Sequence, residues 1–187
     1  MNIRKLVVPV FAIITLAAAS GVQAQKTERI SATAMGTGTQ LGRIVNIDIT
    51  INEYSNEQDK AGLLEAFQAN GSEGLANALD KMKAKGRIAI TGTLGYDLNY
   101  IRSFNMPDGS RLIRFATDRP IRFGEAWASS RTMDYQLSIG EILIAKEKGK
   151  TKGTIVPVAR VKLNKERDVE IEAYQNPWDL NNVRIWK

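Results

Sequence analysis

The chain has no cysteine and no histidine. Without cysteine it has no disulfides, no thiolate nucleophile and no lipid-modified thiol. Without histidine it lacks the side chain that changes charge nearest neutral pH, and with it histidine-based triads and most zinc sites. Carboxylate, lysine, tyrosine, serine and threonine chemistry is left, and neither an SxxK nor a GxSxG pattern occurs. Gly36-Thr37-Gly38 and Gly92-Thr93-Leu94-Gly95 lack the lysine and helix start of a phosphate loop and read as bulges. No DxDxDG loop offers calcium clustered oxygens. The expectation is therefore no cofactor, no metal and no catalytic constellation. Nucleic acid is not an expected partner either, because no RNP-like, zinc-finger or helix-turn-helix signature is present.

Long apolar runs are equally scarce: the one present is Leu6–Ala19, broken by Pro9 and Thr15. Arg4 and Lys5 precede it and Ser20-Gly21-Val22-Gln23-Ala24 follows, giving the basic, apolar and small-residue order of a secretory signal. A run of this length falls short of the roughly 20 residues that span hydrocarbon. The reading is a cleaved signal peptide over residues 1–24 and a single exported domain over 25–187, periplasmic or extracellular and of bacterial character. No transmembrane segment is expected after cleavage. The remaining chain carries 24 basic and 20 acidic residues, a net +4, with both signs interspersed. Such a surface suits an anionic glycan, a lipid head group or an ordinary solvated exterior.

Val45, Ile47, Ile49 and Ile51 alternate with polar residues, which predicts a half-buried strand, with Ile30–Gly38 as its neighbour. A helical hairpin is expected over about residues 55–85. Ser55 and Gln58 form its capping box, Leu63, Leu64 and Phe67 share a face, Asn70-Gly71 breaks it, and Ser72 caps a second helix carrying Leu75, Leu79 and Met82. Lys81, Lys83 and Lys85 then complement the closing dipole. From Ile88 to Tyr100 the alternation returns as one long strand bent at Gly92 and Gly95. Met106-Pro107-Asp108-Gly109 predicts a type I turn with a bulge closing a hairpin onto Leu112–Thr117. Another hairpin joins 133–145 to 154–163 through Lys148-Gly149-Lys150. In the last hairpin, Lys162 opposite Glu170 and Arg160 opposite Glu172 set the register, with Val161 and Leu163 facing Ile171 and Val169. The fold class is mainly β with an α insert: about eight antiparallel strands in a curved sheet, barrel-like or a sandwich.

Candidate ligand-binding residues concentrate between the Asp108 turn and residue 133. Arg111, Arg114, Arg119, Arg122, Glu125 and Trp127, with Arg131, Phe115 and Phe123 interleaved, combine forked donors with aromatic faces. Their plainer role is an amphipathic edge with inward aromatics. Pro177-Trp178 and Trp186 are expected to anchor the tail. Asp97, Asp118, Glu125, Asp134 and Glu141 are the carboxylates available to glycoside chemistry. Glu141 falls on the apolar phase of Leu137 and Ile139, so a bulge at Gly140 is expected to turn it outward. The preferred reading is an exported, non-catalytic binding module for a small molecule, a glycan or an envelope partner. Its alternatives are a carboxylate-based glycan hydrolase or lyase, and a structural envelope protein with a filled interior and an apolar patch.

Overall fold

The alternating segments do form strands, and they join into one sheet. The computed structural model describes residues 27–123, 134–147, 149–163 and 169–186. The expected signal peptide, Glu125, Trp127, Arg131, Met133, Lys148 and the tip of the last hairpin lie outside the described residues.

Among the described residues there are ten strands: β1 (Glu28–Gly36), β2 (Ile44–Ile51), β3 (Gly86–Ile90), β4 (Tyr96–Leu98), β5 (Tyr100–Asn105), β6 (Arg111–Thr117), β7 (Leu137–Ile144), β8 (Lys152–Leu163), β9 (Val169–Ala173) and β10 (Trp178–Trp186). The helical stretch α1 (Glu57–Lys81), kinked at Asn70 and Gly71, interrupts them. The strands pair antiparallel in the order β4-β3-β2-β1-β10-β8-β7-β6-β5, with β9 on β8. The outer strands β4 and β5 flank Asn99, whose N–H donates to Ala116 O at 3.2 Å. Ser55 N–H donates to Ile101 O at 2.7 Å, and its Oγ accepts from Ile101 N–H at 3.0 Å. The sheet is thus a nearly closed barrel, in which few strand edges are left open.

Two apolar layers follow. Inward residues such as Ile30, Ile49, Ile113, Phe115, Ile142 and Trp178 fill the barrel. Leu63, Phe67 and Leu79 of α1 pack on Leu137, Ile139 and Val161, which point outward from β7 and β8. With both faces of β7 covered in part, Glu141 needs no special device. It shares the outward phase of Leu137 and Ile139, lies beyond the helix, and meets Arg114 at 3.2 Å. The expected bulge at Gly140 is absent: pairing of β7 with β6 runs unbroken from Ser138 to Ile144. Gly140 instead makes room for the Phe115 ring, which a Cβ there would overlap.

The register break lies nearby, where Leu137 pairs Ala159 but Ile139 pairs Val156. The extra residue on β8 falls at Pro157–Val158, and proline, with no N–H to pair, suits such a bulge. It turns Ile155 inward and Val161 outward on one strand. Pro157 O accepts from Ser138 Oγ at 2.7 Å and from Ile121 N–H at 3.1 Å.

Other expectations shift. The insert is two helical segments that meet at a kink where Asn70 and Gly71 (φ +56°) leave helical geometry, the position expected for the break. Its N-cap is Asn56, in a reciprocal capping box with Asp59, one residue on from the Ser55 and Gln58 pair. Ser72 Oγ accepts from Val161 N–H at 3.1 Å and ties α1 to β8. Lys83 and Lys85 lie past the helix, and Lys85 reaches Glu53 at 2.6 Å and Asp59 at 3.3 Å. The long strand from Ile88 is a hairpin of β3 and β4, turned at Gly92 (φ +88°) and Gly95 (φ +72°), so Leu94 is 85% exposed at its tip. Gly36-Thr37-Gly38 ends β1 and enters a 3-10 turn instead of a bulge. Gly109 (φ +81°) does close the β5–β6 hairpin, donating to Met106 O at 3.0 Å. The charge-set register of β8 and β9 stands residue for residue.

Candidate functional site

Inside the barrel there is a packed interior. At one end Arg111 and Tyr54 both donate to the Glu28 carboxylate, linking β1 to β6 across the lumen. Burial, then the hydrogen bond to Glu28, pushes the Tyr54 phenol up to about 12. Toward the other end Trp178 is buried and stacks on Phe123, ring centres 4.6 Å apart. Concave surface is found outside.

The β8–β9 hairpin forms one wall of such a surface. β7 pairs β8 only as far as Ala159, so residues 160–163 are held by β9. One face is polar. Arg160 Nε donates to Glu172 at 2.8 Å, Lys162 lies 3.3 Å from Glu172 and 3.8 Å from Glu170, and Tyr135 Oη donates to Glu172 at 3.0 Å. The Arg160 guanidinium stands 4.9 Å from the centre of the Tyr135 ring. Hydrogen bonds from Arg160 and Tyr135 hold the Glu172 carboxyl down to about 2.

The opposite face is apolar and faces α1. Val161 pairs Ile171 and Leu163 pairs Val169. Between them and the helix runs an 870 Å³ groove, with Leu64 and Phe67 on the helical wall and with Gln68, Glu73, Asp134, Arg160 and Lys162 also lining it. A slot of 300 Å³ continues under α1, walled by Leu63, Leu75, Leu137 and Ile139, with Lys60 the one charged residue along it among the described residues. Four large apolar side chains stay exposed along this opening: Leu64 at 49%, Leu163 at 53%, Val169 at 63% and Ile171 at 47%.

The described residues of the arginine segment are not gathered into one place. Arg111 points into the barrel, whereas Arg114 points out beside Glu141. Arg119 pairs with Asp118 at 2.6 Å and approaches Asp80 at 3.9 Å, beside a 440 Å³ depression that Tyr135 also lines. Arg122 lies exposed at the segment's end, its N–H donating to Tyr96 Oη at 3.0 Å. Phe115 and Phe123 pack inward. Of the carboxylates, Asp97 meets Arg87 at 2.9 Å, Asp118 meets Arg119, Glu141 meets Arg114, and Asp134 stands on the groove rim. Among the described residues no group of three or more carboxylates is placed to hold a metal ion.

The groove residues Leu64, Val161, Leu163, Val169 and Ile171 are the ones that sequence reasoning passed over as a site. Their alternation and pairing were visible; what was missing was where α1 lies. Comparison of the chain with protein-family models, curated proteins and solved structures gave no match.

Proposed function

We propose that the protein is an exported, non-catalytic binding module that takes its ligand on the outside of the barrel, in the groove between α1 and the β8–β9 hairpin. The observation that carries this reading is the contrast between a lumen filled with aliphatic and aromatic side chains and an open groove bearing four exposed aliphatic residues. Leaving such surface in water costs on the order of 25 cal/mol per Å², so its retention along a concave site favours an occupant. Export rests on the basic, apolar and small-residue order of residues 1–24. Among the described residues no helix is long and apolar enough to cross a membrane.

The structural envelope protein remains the second reading, because a filled interior is what it requires. The two part on ligand response. Expressed in a bacterial host, the protein is expected in the exported fraction with a mass that begins at Gln25. Its melting temperature is then expected to rise with at least one member of a panel of glycans, acidic peptides and amphiphiles, since a ligand that binds only the folded state must stabilise it. A full-length mass in the cytoplasm would sink the export claim, and no stabilisation by any member would favour the structural role.

A further inference from the structure

We infer that the groove and its slot form a site for a single-chain fatty carboxylate, tail beneath α1 and head at Lys60. This rests on the binding reading above and names the ligand class for the same site. The slot is walled by aliphatic side chains from both helix and sheet, Leu63 and Leu75 on one side and Leu137 and Ile139 on the other. A sugar or a peptide backbone placed there would bury polar groups without partners, a penalty that a hydrocarbon tail does not meet. At 300 Å³ the slot sits at the small end of ligand cavities, and it opens onto the wider groove through the shared residues Leu64, Phe67, Val161 and Val169.

Charge then selects the head group. Among the described residues Lys60 is the one charged residue lining the slot, its side chain is 60% exposed, and its contact with Glu57 is a loose i,i+3 pair at 3.7 Å. Arg160 and Lys162 nearby are already matched by Glu172 and Glu170. A monoanionic head therefore finds an ammonium group at Lys60, whereas a cationic head finds no group of opposite sign among the described residues that line the slot.

The probe is dodecanoate, kept below its micelle concentration and titrated calorimetrically into the exported protein, with monolauroyl glycerol as the neutral arm and dodecyltrimethylammonium as the cationic one. The expected result is saturable one-to-one binding of dodecanoate, weaker binding of the neutral lipid and weakest of the cation. Lys60→Gln is expected to weaken dodecanoate by about two- to fivefold, the scale of an exposed ion pair, and to leave the neutral lipid unchanged. Ala116→Leu fills the slot and is expected to abolish binding of both. Should that variant not fold, Leu64→Gln at the exposed mouth is expected to weaken both lipids while the melting temperature of the free protein holds. Absence of saturable dodecanoate binding overturns the inference, as does a Lys60→Gln variant that binds dodecanoate as wild type does. Stabilisation by a glycan or acidic peptide with none by dodecanoate would overturn it and leave the binding module standing. Silence from every probe would remove both.

Discussion

Gly140 and Arg111 show how single residues set the interior. Phe115, on the neighbouring strand, occupies the space above Gly140, so even one methyl group there must displace a buried ring. Gly140→Ala is expected to destabilise by about 1–3 kcal/mol, the usual cost of overpacking a core. Adding Phe115→Leu to that variant is expected to cost less than the sum of the two changes, a coupling that urea denaturation of the four proteins of the cycle measures. Arg111 works through charge. Its removal takes from the buried Glu28 carboxylate a guanidinium that bonds both of its oxygens, and Arg111→Ala is expected to cost about 2–4 kcal/mol, at or below the range for fully buried pairs because Arg111 keeps some contact with water. Glu28→Gln combined with Arg111→Met is expected to recover part of that loss in the same assay.

The β8–β9 hairpin illustrates what an element adds. Its alternation of basic and apolar residues on one strand with acidic and apolar residues on the other admits one register, and the structure keeps it. The same alternation splits the hairpin into a charged face and an aliphatic face, and only the position of α1 turns the latter into a groove wall. Glu172 ties the charged face together. Its folded pKa of about 2 lies below the ordinary value of 4.5, so its contribution to stability is present above pH 4.5 and is lost as pH falls toward 2. Acid titration of the melting temperature is expected to show Glu172→Gln falling less steeply than wild type across that window. An equal slope for both proteins would mean that the cluster around Glu172 does not bear on folding. The helix shows the reverse lesson. Asn70-Gly71 was legible as a break, but the bond from Val161 N–H to Ser72 Oγ, which ties the helical insert to β8 just past that break, was not.

At the scale of the whole molecule, the barrel explains why a chain without disulfides has an adequate core. Near closure pairs most strand edges, and a second apolar layer beneath α1 covers the outside of β5 to β8. That second layer also moves the candidate site. A barrel invites a ligand into its lumen, yet here Ile, Phe and Trp side chains from both ends of the chain occupy it, and the concavity forms where the helix leaves the outer wall incompletely covered. The arginine-rich segment looked like a site in one dimension because its residues are close in sequence. Successive strand residues point to opposite faces, so Arg111 and Arg114 part company in three.

Composition and local pattern alone determined the absence of histidine and thiol chemistry, the β character, the β5–β6 turn at Gly109 and the β8–β9 register. These depend on residue identity or on neighbours a few positions apart, which the chain itself displays. Only tertiary structure decided the closure of the sheet, the phase change at Pro157, the outward pairing of Glu141 with Arg114 and the groove beneath α1. Each of these depends on which distant segment covers a given face. A period of two says that a strand has two faces, and it is silent on what lies against either.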